Sequence, residues 1–322
     1  MQALFDYSGG RTGLPRVAPP RLPLSTILLA LVLGAAWPQG ASAADNPLKV
    51  SLSAGTAYDD DVTISQLDSS TGQSDGVADV NLTTNYDLIK DKSKSLSVGY
   101  TFDQNVHFNF HQYDIGSQGI STVAGYTIDK INFGMVYDFN YITMGGNNFM
   151  KMNFLNPSVM ISLSKNIYVR SHLIYIDESF FHLSDHNAKH FQPGAQAFYF
   201  FNKSKSYLIF SGTYVKENTS GPQFTYHGFT AGVSGNFLIN LPKSSFHIKL
   251  LYEYTYKNYN NIDPSIGANR FDRQSEYAIN FIYPLSKKLD LTISGHRFVR
   301  SSNFAPANID QNVIATSLSY MF

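Results

Sequence analysis

Cysteine is absent from this 322-residue chain, and charged residues make up only 15% of it. A chain without thiols has nothing to mispair while it crosses an oxidising compartment such as the periplasm. The charged fraction is low, because soluble proteins average about 25%. The formal net charge is zero and no long basic run occurs. Nucleic acid is therefore not an expected partner.

Long apolar runs are also missing once the N-terminal region is passed, because no later stretch approaches the roughly 18 apolar residues of a membrane-spanning helix. The chain has no G-x-S-x-G nucleophile motif, no P-loop, no dinucleotide-binding fingerprint and no tandem repeat. No cofactor is implied, and the balance is against an enzyme. Aromatic residues are abundant instead, with 24 Phe and 21 Tyr.

The N-terminal region carries the pattern of a secretory signal peptide. Three arginines precede an apolar run at 24–37, and the small-residue sequence Ala41-Ser42-Ala43 follows it. The run is too short for a membrane anchor, and an A-x-A sequence is a typical cleavage site. We therefore expect residues 1–43 to be a cleaved signal peptide and 44–322 to form the mature protein.

The mature region contains segments in which apolar and polar residues alternate with a period of two, the pattern of β-strands with two different faces. In 246–256, for example, one face reads Phe, Ile, Leu, Tyr, Tyr, Tyr and the other His, Lys, Leu, Glu, Thr. Fourteen such segments lie at 47–58, 77–88, 95–104, 118–128, 131–142, 153–163, 167–176, 191–201, 206–215, 224–239, 246–257, 271–283, 289–299 and 311–322.

The connections between these segments alternate between short and long, as in outer-membrane barrels with short periplasmic turns and long external loops. The expected long loops are 59–76, 105–117, 143–152, 177–190, 216–223, 258–270 and 300–310. A periplasmic sandwich would also satisfy the alternation. Aromatic residues crowd the segment ends, as interfacial girdles do, which favours an all-β, transmembrane, antiparallel up-and-down barrel of 14 strands.

The last segment resembles the C-terminal strand of bacterial outer-membrane β-barrel proteins. Leu318, Tyr320 and Phe322 lie on one face, and the chain ends on a Phe with an aromatic residue two positions earlier. In that class this strand is read by the machinery that inserts barrels into the membrane. The resemblance implies an outer-membrane location in a Gram-negative cell, with lipid and the barrel-insertion machinery as partners.

The polar face of the segments supplies candidate pore-lining residues. They are Asp79, Asp87, Asp103, Asp138, Arg170, His172, Lys249, Glu253, Asp272, Glu276, Asp290 and His296. Opposite charges on facing walls would create a transverse field that orients small polar solutes. Alternatively, these groups pair with one another and brace a plugged barrel.

Two loops carry candidate metal ligands. Asp59 and Asp61 could hold Ca²⁺ through carboxylate oxygens. His182, His186 and His190 are spaced by four and, on a helical turn, could bind Zn²⁺. Solvated loop residues are the more common reading of both patterns.

Taken together, the sequence predicts an outer-membrane channel that passes or exports small polar solutes by passive diffusion. A surface-interaction barrel that acts through its loops is one alternative, and a lipid-modifying barrel enzyme is another. The ending also resembles the last strands of barrels fused to helical-repeat exporters of surface proteins or polysaccharide. That resemblance rests on Ser301-Ser302-Asn303, on Asp310 and Asn312, and on 317–322.

Overall fold

A computed structural model describes residues 46–64, 67–242 and 244–322, so the expected signal peptide lies outside the described residues. Fourteen strands form one closed antiparallel barrel. Each strand pairs with its neighbours in the chain, and the first pairs with the last, Leu52 lying opposite Tyr320. The predicted fold is confirmed.

The barrel strands are β1 (Leu48–Asp59), β4 (Asp75–Lys90), β5 (Lys94–His107), β6 (Ile115–Ile128), β7 (Ile131–Met144), β8 (Asn147–Ser162), β9 (Ile167–Phe180), β10 (Ala188–Phe201), β11 (Ser206–Thr219), β12 (Tyr226–Asn240), β13 (Ser245–Asp263), β14 (Ala268–Pro284), β15 (Leu289–Ser302) and β16 (Ile309–Met321). Two short strands, β2 (Thr63–Ile64) and β3 (Ser69–Ser70), pair as a hairpin within the first loop. Single 3-10 turns occupy later loops, at His111–Tyr113, Ser184–His186, Pro222–Phe224 and Ala305–Ala307.

The outer face of the barrel is apolar. Leu250 and Ile279 lie opposite each other and are 44% and 51% exposed, and Tyr252 packs on Tyr277 with ring centroids 5.0 Å apart. Hydrocarbon offers no hydrogen bonds, so a sheet can stand in a membrane only when its edges are joined. A closed ring with this outer face is the architecture of outer-membrane barrels, and the chain is an outer-membrane β-barrel.

Several strands extend beyond their predicted ends, which corrects the expected loop lengths. The predicted loop 143–152 shrinks to a turn at Gly145 and Gly146, both with positive φ, and 258–270 shrinks to a turn at 264–267. β13 has 19 residues and β14 has 17, whereas about 9–11 tilted residues cross a bilayer. These strands therefore continue beyond the membrane on the side of the long loops. Water solvates both of their faces there, so the sequence no longer alternates between apolar and polar residues.

The opposite rim carries short turns, as predicted. β6 and β7 are joined by Asp129 and Lys130 alone, and Asp129 adopts a φ of 49°. β1 begins and β16 ends at this same rim, with Ser51 opposite Met321. By the usual orientation of such barrels this rim is periplasmic. Within the described part of the chain, no helix is long and apolar enough to cross a membrane.

Candidate functional site: the barrel interior

The inner face carries every residue predicted to line a pore. The alternation along each strand turns these side chains inward, opposite the apolar outer positions. By strand, they are Asp79 and Asp87 on β4, Asp103 on β5, Asp138 on β7, Arg170 and His172 on β9, Lys249 and Glu253 on β13, Asp272 and Glu276 on β14, and Asp290 and His296 on β15. Their role in a pore stays a prediction.

Ion pairing involves part of this set. Lys49 Nζ lies 3.0 Å from Asp87 Oδ2, and His296 Nε2 lies 3.1 Å from Glu276 Oε1. Arg270 Nη2 lies 2.7 Å from Asp272 Oδ2. Ion pairs therefore brace part of the wall, whereas the Asp138 carboxylate Oδ2 and the Arg170 Nε are buried without a hydrogen-bond partner among the described residues.

One cavity of about 370 Å³, here called the acidic cavity, lies against the continuous wall formed by β14 to β16, β1 and β4 to β7. Asp79, Asp103 and Asp138 reach it, and Asn81 donates a hydrogen bond to Asp103. Asp138 is 7% exposed, and its Oδ2 has no hydrogen-bond partner among the described residues. Small side chains line much of the remainder, including Ser117, Gly119, Ser121, Ser294, Ala315 and Ser317. Such a wall leaves room for water and small solutes.

A second cavity of about 380 Å³, here called the mixed cavity, lies mainly against β8 to β13. Its lining combines polar residues such as Arg170 and His172 with apolar ones such as Phe154, Ile174 and Ile176. The two cavities share no lining residue. The interior is therefore divided into the acidic cavity and a cavity that is lined by apolar, basic and acidic side chains together, the acidic ones including Glu178, Glu217 and Glu253.

The described parts of the first loop, 60–64 and 67–74, fold inward instead of standing above the rim. Val62 and Ile64 are 0% and 3% exposed and pack against Tyr113. Near the middle of the loop, Asp68 forms a bidentate ion pair with Arg270, in which Nη2 and Oδ1 are 2.9 Å apart. Arg300 Nη1 lies 3.0 Å from the same Oδ1. The loop is thereby fixed to the inner wall of β14 and β15.

The acidic residues at the start of this loop hold it to β16. Gln311 Nε2 donates to Asp59 Oδ1 at 3.0 Å and to the Asp61 carbonyl at 2.7 Å. Asn312 donates from its backbone and side-chain nitrogens to Asp60 at 2.7 and 2.8 Å. Asp61 accepts from Ser70 and Gly72 within the loop. Asp59 and Asp61 thus act as hydrogen-bond acceptors in a loop anchor.

The three histidines proposed as a zinc site are separated by the local structure. His186 closes a single 3-10 turn, Ser184–His186, and His190 lies in β10 with its side chain inside the barrel. His182 lies in the loop before that turn. Within the described ranges, no group of three or more His, Asp or Glu could hold a metal ion. The spacing of four fails because the segment is a turn leading into a strand, not a helix.

His186 and His190 have other surroundings instead. His186 stacks on Phe224 with ring centroids 4.1 Å apart, and burial lowers the pKa of His186 although nearby Asp68 opposes this shift. His190 lies between two carboxylates, with Nε2 3.4 Å from Glu178 and Nδ1 3.2 Å from Glu217. Glu178 and Glu217 lie just beyond the predicted segments 167–176 and 206–215. Extending the alternation of β9 and β11 by two residues finds both.

The residues expected to form an assembly signal lie on the outer face beside the periplasmic rim. Leu318, Tyr320 and Phe322 are 46%, 39% and 65% exposed, and the rings of Tyr320 and Phe322 are 4.9 Å apart. The backbone N–H of Phe322 donates to the carbonyl of Val50 at 3.0 Å, which joins the two ends of the ring. Their recognition by insertion machinery stays a prediction.

Comparison with known proteins yields structural likeness without sequence relationship. No family model and no curated protein matches the chain. Among solved structures, CdiB from Acinetobacter baumannii gives a TM-score of 0.48 at 9% identity over 86% of this chain, which spans 60% of that protein. A bacterial polysaccharide outer membrane secretin gives 0.44 at 9% identity, covering 85% and 98% of the two chains. OprD of Pseudomonas aeruginosa gives 0.43 at 7%, covering 85% and 95%. At such identities no residue role is carried over from them.

Proposed function

We propose that the chain is an outer-membrane channel through which small polar solutes diffuse passively. The observation that supports this most directly is the acidic cavity, a space of about 370 Å³ lined by small and polar side chains. It lies inside a ring whose outer face is apolar. An inner wall of hydroxyl, amide and carboxylate groups replaces part of the hydration shell of a passing solute.

Charge and the first loop would decide what passes. Asp79 and Asp138 place negative charge along the wall of the acidic cavity, which raises the local concentration of cations. The loop 60–74, held by Asp68, narrows the entrance from outside. Solutes would be selected by size and charge. The partners of the barrel would be the surrounding membrane lipid and the insertion machinery, which recognises the C-terminal strand.

Recording from planar bilayers tests this proposal. The purified mature protein should give discrete steps of conductance, and in a KCl gradient the reversal potential should show a preference for K⁺ over Cl⁻. Asp79→Asn combined with Asp138→Asn should reduce that preference by about half or more, because two carboxylates of the cavity wall are lost. Asp310→Asn is the matched control, since its side chain is 59% exposed and pairs with Arg297 outside the cavity. A folded barrel that gives no current at any voltage would refute the channel.

A further inference from the structure

Within the described part of the chain, Arg170 is a buried cation with no carboxylate at ion-pair distance. Its inward-facing side chain on β9 leaves the residue 5% exposed, and its Nε has no hydrogen-bond partner among the described residues. The other inward-facing arginines differ, because Arg270 and Arg300 share Asp68 and Arg270 also binds Asp272. An isolated buried guanidinium is unfavourable unless an anion or ordered water satisfies it.

The neighbours of Arg170 are also buried and incompletely bonded. His172 lies two residues along the same strand face, and Gln196 lies directly opposite Arg170 on β10. His172 Nδ1, Gln196 Oε1 and Asn156 Oδ1 each lack a hydrogen-bond partner within the described residues. These residues are 8%, 7% and 3% exposed, and all three line the mixed cavity. Several polar atoms beside Arg170 are thus buried in the wall of one cavity without a hydrogen-bond partner among the described residues.

The backbone leaves space for this arrangement at Gly194. A Cβ at this position would lie 2.6 Å from His172 Nε2 and 2.6 Å from Thr213 Oγ1. The His172 ring therefore lies across β10 where a side chain would otherwise stand. This close approach fixes one edge of the ring against β10, beside the Arg170 and Gln196 pair.

Apolar residues continue the same wall. Ile174 and Ile176 occupy the next two inward positions of β9 after His172, and both pack against Phe154, which is 2% exposed. Arg170 and Ile176 are six residues apart, which is roughly 20 Å of strand. An aliphatic wall offers water no hydrogen bonds, whereas a solute with an apolar part gains free energy by burying that part against it. The mixed cavity therefore presents a cationic region and an apolar region in sequence along one strand.

We propose that the mixed cavity binds an amphipathic organic anion, with its carboxylate on Arg170 and His172 and its apolar body on Phe154, Ile174 and Ile176. This inference rests on the proposed channel function and names a solute class for the mixed cavity, whereas the expected preference for small cations comes from the acidic cavity. Arg presents a planar fork of donors that matches a carboxylate. A carboxylate supplies the charge that Arg170 lacks, and the hydrocarbon part explains a lining that a purely polar solute would not need.

Calorimetric titration of the mature barrel in lipid nanodiscs tests the proposal with benzoate and hexanoate as probes. Both should bind. Benzyl alcohol and hexanol lack the carboxylate charge, and acetate lacks the apolar part, so each of these three should bind at least tenfold more weakly. Arg170→Gln should weaken benzoate binding at least tenfold, and Arg170→Lys should weaken it less, because the charge stays while the fork is lost. Arg297→Gln, on an exposed pair with Asp310, should bind as the wild type does.

A second variant addresses the apolar region and guards against misfolding at position 170. Ile174→Thr should reduce the preference for hexanoate over acetate and leave acetate binding unchanged, because Ile174 is the first apolar inward position after His172 and lies within reach of a six-carbon chain. Equal binding of the alcohols, unchanged binding by folded Arg170→Gln, or no binding by the wild type would each overturn the proposal. Conductance without anion binding would refute this site and be consistent with the proposed channel. Anion binding without conductance would support the site and refute the channel.

Discussion

At the scale of single residues, Asp68 is the side chain that joins the first loop to the far wall. It is the partner of both Arg270 and Arg300, and 202 residues separate it from Arg270 in the chain. Only 16% of its side chain is exposed, so these pairs are shielded from solvent and salt. Breaking a buried pair by removing one charge costs about 3–5 kcal/mol.

We expect Asp68→Asn to release the loop 60–74 from β14 and β15. The amide cannot neutralise Arg300, whereas Arg270 keeps Asp272. Single-channel conductance should rise by about half or more, with added current noise, because the entrance widens. Planar bilayer recording at several voltages measures both. Asp310→Asn, which breaks an exposed pair worth less than about 1 kcal/mol, should change neither, and an unaltered current in Asp68→Asn would show that the loop does not limit flow.

At the scale of elements, the pairing of β12 with β13 depends on one glycine. Gly228 lies opposite Lys257, just before β13 changes register between Asn258 and Ile262. A Cβ on Gly228 would lie 1.9 Å from the carbonyl oxygen of Tyr256, a backbone atom that cannot rotate away. The two strands approach too closely here for any side chain.

Gly228→Ala should therefore destabilise the barrel by about 1–3 kcal/mol, as overpacking does. The measurement is the urea midpoint for the loss of the compact, heat-modifiable form on gels. Gly212→Ala is the matched control on the neighbouring β11, because a Cβ there meets nothing within 4 Å. Equal midpoints for the two variants would mean that the backbone of β13 shifts without penalty.

The strands show which parts of the structure local sequence can predict. The period-two pattern predicts all fourteen strands and the inward direction of the charged side chains, because both follow from the pleat of a strand. It places the ends of β9 and β11 two or more residues too early, so Glu178 and Glu217 fall outside the predicted segments. The contacts of Asp68 and the clustering around Arg170 could not be predicted, because they depend on how distant strands are brought together by closure of the ring.

At the scale of the whole molecule, the barrel separates two solvents. β6 shows this at adjacent positions, since Ile120 is 58% exposed on the outer face and Ser121 lines the acidic cavity on the inner face. Ser121 also lies opposite Asp138 on β7. The same new side chain would therefore contact lipid hydrocarbon at position 120, and water and the Asp138 carboxylate at position 121.

Ile120→Lys should prevent or slow folding into lipid bilayers, because a lysine on the lipid face near the midplane costs about 2–4 kcal/mol. Ser121→Lys should fold as the wild type does, since its ammonium reaches the inner space beside Asp138, and it should lower conductance by narrowing the cavity. The yield of the heat-modifiable form in vesicles measures folding for both variants. Equal yields would contradict a lipid-facing exterior and with it the membrane barrel. The reverse order would require the apolar face to point inward, which the exposure of Ile120 and the burial of Asp138 at 7% oppose.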